Sequence, residues 1–211
     1  MKKYLLCCAW VVLSCCGDPQ LFAEEKKAAS NESEAKKMRT GILFETQAID
    51  PEVFTRLEGS QKALMVPVYE WEYGVRLFKA QDWEKRAYKK GEFRQLAEKV
   101  ADAVLDEAKI EFIRDSRDVV LYAVIRSKDP FLSSILLSKK FLPKFKKNLG
   151  EVIRVIILDR QEMYVFPDSG GKLADYASVM AERYLETKQP VSLEIFQVSD
   201  KGFKIIGSIG E

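Results

Sequence analysis

The sequence predicts an α+β fold of mixed α/β order: a single domain with a central sheet of about five or six strands and three main helices packed on it. Three observations carry this expectation. Apolar residues recur at helical spacing over Glu92–Lys109, Asp129–Asn148 and Lys172–Thr187. Around them lie apolar runs of strand length, Val119–Ile125, Val152–Leu158 and Val191–Val198. Asp159–Glu162 and Ser199–Gly202 then separate neighbouring runs by hairpin-length turns. The chain has 211 residues, 47% hydrophobic and 31% charged, enough to bury a core without disulfides or metal.

In chain order, the first segment reads as an export signal, residues 1–23. Lys2 and Lys3 form a positive start, and Tyr4–Cys16 supply a mostly apolar stretch. That stretch is shorter than the ~20 residues a membrane-spanning helix needs. Ala23 offers a small residue at the cleavage position before Glu24. The alternative is lipidation at Cys15 or Cys16, because Val12-Leu13-Ser14-Cys15 and Leu13-Ser14-Cys15-Cys16 resemble the box before a lipid-bearing cysteine, with Leu13 and Cys15 respectively departing from it. All four cysteines, Cys7, Cys8, Cys15 and Cys16, fall in this segment, and the chain has no histidine. Cleavage after Ala23 therefore leaves no thiol and no imidazole, which excludes disulfides, thiolate metal sites and cysteine or histidine catalysis. Such a chain suits an oxidising envelope compartment. Residues 24–39, EEKKAASNESEAKKMR, are charged and poor in apolar bulk and read as a flexible tether.

The globular domain is expected over 40–211. Gly41–Phe44 is a short strand, and Asp50-Pro51-Glu52 reads as a helix start with proline in its first position. Ala63–Phe78 is the longest strand-like stretch. Its alternation puts Tyr69, Trp71, Tyr73, Val75 and Leu77 on one face and Glu70, Glu72 and Arg76 on the other. Pro67 implies an edge or a bulge, since it cannot donate to a ladder. Glu92–Lys109 is a helix with Phe93, Leu96, Val100 and Val104 in its stripe, beside Ala97, Ala101 and Ala108. Val119–Ile125 reads as a strand covered on both faces. The helix opened by Asp129-Pro130 should kink or split at Pro143 and end at Gly150. Val152–Leu158 and Met163–Phe166 form a hairpin; a helix over Lys172–Thr187 turns Leu173, Ala177, Met180 and Tyr184 inward; Val191–Val198 and Phe203–Ile206 form the last hairpin. The order of elements over Glu92–Thr187 resembles that of the TPM-type domains of exported bacterial proteins, in order alone and not in any motif.

Several stretches invite a catalytic reading and do not sustain it. Pro167-Asp-Ser-Gly-Gly-Lys172 runs strand, glycine turn, lysine, helix, as phosphate cradles do, yet Leu173 stands where a P-loop needs Ser or Thr and the first glycine is missing. Ser169 and Lys172 have Ser-x-x-Lys spacing, but two glycines loosen the turn between them. A corner capped by Asp168 or Ser169 accounts for the stretch. Glu70 and Glu72, two apart on one strand face, could divide acid and base roles in a carboxylate-dependent hydrolase. Asp115 and Asp118 lack the spaced oxygen ligands of a calcium loop and have Arg114 and Arg117 among them. No metal and no cofactor is expected.

Charge gives the strongest functional signal. The whole chain carries +2, and loss of Lys2, Lys3 and Asp18 leaves 32 basic against 31 acidic residues, so nucleic acid is not an expected partner. Between Lys139 and Lys147, however, the five lysines Lys139, Lys140, Lys144, Lys146 and Lys147 interleave with Phe141, Leu142 and Phe145. Over Arg126–Lys147 seven bases meet one acid, whereas Glu92–Asp118 has eight acids and five bases. Trp83 with Lys85, Arg86, Lys89 and Lys90 adds a second basic, aromatic stretch. A cationic, aromatic-bearing helix can receive an acidic protein or lie against anionic lipid. The competing explanation is a core helix with Phe141 and Phe145 inward and solvated lysines. The functional expectation is an exported protein, periplasmic or envelope-associated and, if lipidated, lipid-anchored. It would act by non-catalytic binding to an envelope protein or anionic membrane surface through Lys139, Lys140, Phe141, Lys144, Phe145, Lys146 and Lys147. The alternatives are the Glu70/Glu72 hydrolase and a structural subunit paired through an open sheet edge.

Overall fold

Residues 38–86, 91–169 and 172–210 are described by the computed structural model. The signal, residues 24–37 of the tether, Cys15, Cys16, Lys89, Lys90 and the glycines Gly170 and Gly171 lie outside them. The described strands are Thr40–Thr46 (β1), Thr55–Arg56 (β2), Ala63–Trp71 (β3), Gly74–Leu77 (β4), Lys109–Arg114 (β5), Val120–Arg126 (β6), Ile153–Ile157 (β7), Glu162–Pro167 (β8), Glu194–Ser199 (β9) and Gly202–Ser208 (β10). The helices are Ala80–Arg86 (α1), Glu92–Glu107 (α2), Phe141–Leu149 (α3) and Lys172–Glu186 (α4), with 3-10 turns at Gln47–Ile49 and Leu132–Leu137. The fold is α+β and entirely antiparallel. A six-stranded sheet runs β10-β9-β7-β8-β6-β5, and a second, four-stranded sheet runs β1-β3-β2 with β4 also on β3.

The larger sheet is three hairpins laid side by side, β5–β6, β7–β8 and β9–β10. The central runs are apolar throughout because both faces are covered. On one face Ala123, Ile125, Ile153, Val155, Ile157, Met163 and Val165 join the main core with Phe131, Phe141, Phe145 and strands β1 and β3. On the other face Val124, Ile156, Tyr164 and Phe166 pack under Leu173 and Met180 of α4. Period-two alternation places each set, so the continuous hydrophobicity reflects two buried faces in an antiparallel sheet.

The fold adds β2, α1 and β5 to the expected elements and departs from the expectation at further places. The expected single strand over Ala63–Phe78 is a hairpin that reverses at Glu72–Tyr73, with Tyr69 opposite Arg76 and Trp71 opposite Gly74. The local alternation is the same for a long strand as for a hairpin with a two-residue turn. Arg76 consequently shares a face with Trp71 and stacks 3.2 Å from its ring centroid. Pro67 is not on an edge strand: β3 is central, and Pro67 sits where its partner on one side changes from β2 to β4. There its missing N–H leaves no gap in either ladder, while its carbonyl accepts from Phe78 N at 3.2 Å. Asp50 does not start a helix. It closes the 3-10 turn in the left-handed region, φ 47°, with its N–H bound to Gln47 O.

The expected helix over Asp129–Asn148 is divided into a 3-10 turn and α3, and the division falls before Pro143. The Ser138 hydroxyl accepts from Lys140 N and donates to Asp102 of α2, occupying the break. Pro143 sits in the first turn of α3, where its absent N–H has no helical acceptor to lose. Gly150 ends α3 at φ 99°, its N–H on Lys146 O. In α2 the buried stripe is Phe93, Ala97, Ala101, Val104 and Leu105, while Leu96 is exposed.

Two buried carboxylates join the sheets. Glu194 of β9 accepts from the N–H groups of Gln61, Lys62 and Ala63 at 2.6, 3.0 and 2.8 Å and from the Ser60 hydroxyl at 2.9 Å. Burial would push its carboxyl up, but these donors outweigh burial and hold it below the usual range. Glu45 of β1 is buried with Arg160 Nε 2.7 Å from its Oε1, yet that oxygen receives no aligned hydrogen bond. Its carboxyl is pushed up by burial, which Arg160 only partly offsets.

Candidate functional site

The Lys-rich helix folds against the acidic one. Lys140 Nζ lies 2.7 Å from Asp106, Lys144 Nζ 3.8 Å from the same carboxyl, and Lys139 Nζ 3.4 Å from Glu98, both acids on α2. Lys146 pairs with Glu151 at 2.6 Å, and Lys144 Nζ also donates to Leu105 O at the end of α2. The Lys140 ammonium holds the Asp106 carboxyl below its ordinary value, and Asp106 raises Lys140 in turn. These pairs are solvent-exposed, so they orient the helices more than they stabilise them. The local excesses of opposite sign in Glu92–Asp118 and Arg126–Lys147 are thus largely spent on each other. Among the described residues Lys147 is the one member of the five lysines without an ion pair. Phe141 and Phe145 are core residues, 1% and 0% exposed, with ring centroids 5.0 Å apart. They anchor α3 in the core.

Beside this helix pair lies a groove of about 590 Å³. Leu136, Leu137, Leu142, Pro143 and Phe203 give it apolar walls. Its rim carries Arg94 and Glu98 from α2, Lys139 and Lys146, Glu151, and Asp200 with Lys201 from the turn of the last hairpin. Each part is placed by local rules. Gly202, at φ 107°, lets the β9–β10 turn bring Asp200 and Lys201 over the groove. Phe203, edge-on to Phe44 at 5.4 Å, is fixed against the core. The groove falls within the 300–1,000 Å³ typical of ligand sites. Of the residues expected to bind, Lys139, Phe141 and Lys146 line it; Lys140 and Lys144 face α2, and Lys147 lies outside. Arg94, Asp200, Lys201 and Phe203 were not readable as partners of that helix, because only tertiary packing brings them there.

Glu70 and Glu72 do not share a strand face. Glu70 is on β3, clasped by Arg39 through Nε at 2.9 Å and Nη2 at 3.0 Å, while Glu72 is exposed on the turn that follows. Arg39 also donates to Asp129 at 2.6 Å and stacks over Phe131, 4.8 Å from its centroid. These contacts, the Glu70 hydrogen bonds foremost, push the Arg39 guanidinium upward against the opposing effect of burial. The clasp ties the start of β1 to β3 and to the loop before the 3-10 turn, a structural task. At the corner after β8, Asp168 Oδ1 turns back to the sheet and accepts from Arg154 Nε at 2.9 Å and Gln197 Nε2 at 3.1 Å, while the expected cap of α4 involves residues outside the described ones. Asp115 closes the β5–β6 turn on the N–H groups of Arg117 and Val119. Among the described residues no group of three or more acids converges as a metal site, and no helix is long and apolar enough to cross a membrane. Trp83 packs between Phe78 and Phe93 at 5.4 and 4.8 Å. No protein-family model, curated protein or solved structure matches this chain significantly.

Proposed function

We propose that this is an exported envelope protein that acts without catalysis, holding a segment of a partner protein in the groove between α2, α3 and the β9–β10 turn. The observation that carries the reading is the groove itself, apolar on its walls and charged with both signs on its rim. A protein segment suits that surface, with side chains of its own to bury and charges to match. An anionic membrane suits it less, since Lys139, Lys140, Lys144 and Lys146 already have carboxylate neighbours. Export rests on the leader features of residues 1–23. The structural-subunit alternative is weaker, because the outer strand β5 exposes Lys109, Glu111 and Arg114, and charges on an edge strand discourage pairing.

The test is a photo-crosslinking residue placed at Leu142, in the groove, or at Leu185, which is 83% exposed on α4. In envelope fractions of the native cells the Leu142 position should give a discrete protein adduct and the Leu185 position should not. Equal adducts from both, none from either, or retention on phosphatidylglycerol vesicles that vanishes in Lys147→Gln would overturn the proposal.

A further inference from the structure

On the opposite face of the six-stranded sheet, the flank of α4 leaves a cleft of about 300 Å³ over β5, β6 and β8. Its polar ends come from Tyr122, Arg126, Tyr164, Tyr176 and Arg183, and none of these belongs to the groove described above. The cleft is organised round one oxygen. Glu162 Oε1 accepts from Arg126 Nε at 3.0 Å and Nη2 at 2.7 Å, from the Tyr164 hydroxyl at 2.8 Å, and from Arg183 Nη1 at 3.4 Å. Arg183 Nη1 also donates to the Tyr164 hydroxyl, and Arg126 Nη1 reaches Glu111 at 3.2 Å. Tyr164 stays protonated, since burial and then Glu162 push its phenol well above the ordinary tyrosine range.

The balance of donors and acceptors is uneven. Each guanidinium has five N–H groups, and these bonds leave several on Arg183 and some on Arg126 unused. Among the described residues the hydroxyls of Tyr122 and Tyr176 have no hydrogen-bond partner, and their rings stand edge to face at 4.7 Å. Burial and the Tyr176 phenol raise Tyr122, while Arg183 and Arg126 act the other way, so both guanidiniums lie within electrostatic reach of that ring. Glu162 Oε1 already receives four donors and cannot serve more. Arg126 and Arg183, 44% and 47% exposed, are balanced in charge by Glu162 and Glu111, so the imbalance of the cleft lies in its donors and not in its net charge. The remaining walls, Ile113, Val124, Val179 and Met180, are apolar. Unused guanidinium and phenol donors beside apolar walls describe the complement of a small acid with an apolar body.

We propose that this cleft binds a small organic carboxylate, its oxygens on Arg183 and Arg126 with the Tyr122 hydroxyl and its apolar body against Val179 and Met180. A doubly charged phosphate fits less well, because it would set two negative charges beside Glu162 and Glu111 and leave the apolar walls unused.

The full chain would be titrated, by calorimetry and by amide chemical shifts, with benzoate, phenylacetate and 3-methylbutanoate, each against its primary amide, and with inorganic phosphate. At least one carboxylate should bind at least about tenfold more tightly than its amide, a difference of about 1.4 kcal/mol, and more tightly than phosphate. Arg183→Gln and Tyr122→Phe should each weaken that binding by about tenfold and about threefold respectively, on proteins whose melting temperatures stay near the parent's, while Lys147→Gln should leave it unchanged. If no carboxylate binds below about 10 mM, if amide or phosphate binds as well, or if both cleft variants keep full affinity, the proposal is wrong. Leu142 crosslinking bears on the groove alone, so the two readings fail separately.

Discussion

Replacing Glu194 tests how the two sheets are held together. Its carboxylate takes four donors within 3.0 Å, three of them consecutive backbone N–H groups leading into β3, and a fifth contact from the Ser192 hydroxyl at 3.4 Å. A hydrogen bond to a charged group is worth roughly 1.5–3 kcal/mol, so the four close bonds represent about 6–12 kcal/mol gross. Burying the carboxylate, 3% exposed, takes back several kcal/mol of that. A shallow pocket at Gly59, Gln61 and Ser208 lets water reach part of the loop once the side chain is gone, which further reduces the loss. Glu194→Ala should therefore cost about 3–4 kcal/mol, or a fall in melting temperature of roughly 6–16 °C for a domain of this size. Glu194→Gln keeps one acceptor oxygen and turns an NH2 toward existing donors, and should cost about 2 kcal/mol.

Urea unfolding as a function of pH provides the assay. The folded Glu194 carboxyl is held below its unfolded value of about 4.3, so its contribution is present above that pH and is lost as pH falls through the folded pKa. The gap between parent and Glu194→Gln should be constant from pH 8 to about 6 and should narrow below about 4.3. A Glu194→Gln protein within about 0.5 kcal/mol of the parent at pH 7, or a gap that does not narrow in acid, would refute the account of this junction.

Glu45 carries the opposite sign. Because burial raises its folded carboxyl, its favourable linkage is present below the unfolded pKa and is lost as pH rises through the folded value; Glu45→Gln should raise the melting temperature at pH 7 and lose the advantage near pH 4, as differential scanning calorimetry would register. Gly59 sits at φ +78°, and a Cβ there would meet the backbone oxygen of Ile205 at 2.8 Å. Gly59→Ala should thus cost about 2 kcal/mol in denaturant titrations, from the left-handed backbone and the displacement of β10 together.

Periodicity made the larger sheet legible wherever neighbours in sequence are neighbours in space. The β7–β8 and β9–β10 hairpins have turns short enough to read locally, and the two-sided burial of β6, β7 and β8 shows as unbroken apolar runs, whereas β5, which follows directly on the periodicity of α2, was not read as a strand. The separate four-stranded sheet was not legible. Nothing local distinguishes a nine-residue strand plus a two-residue turn from one long strand, because Glu72 and Tyr73 are not strong turn formers and Gly74 alone marks the reversal. The split before α3 was expected at Pro143 and misplaced for a similar reason: Ser138 breaks the helix by binding Asp102, thirty-six residues away in sequence.

The electrostatic signal was real in the sequence but ambiguous in its object. A run of lysines specifies that something negative lies opposite, and here α2 supplies it through Glu98 and Asp106. Opposite local excesses in two segments of one nearly neutral chain are better read first as a pair, since intramolecular contact needs no partner and loses no translational freedom. The cleft under α4 shows the converse. Tyr122, Arg126, Glu162, Tyr164, Tyr176 and Arg183 come from two strands and a helix and form no motif, because antiparallel register and two helical turns, not sequence spacing, bring them together. Arg126 and Glu162 are direct partners in the β6–β8 ladder, so a cross-strand pair of opposite charge became the floor of a site. What marks the cleft physically is its excess of donors over acceptors, a property of three-dimensional inventory that only the folded chain exhibits.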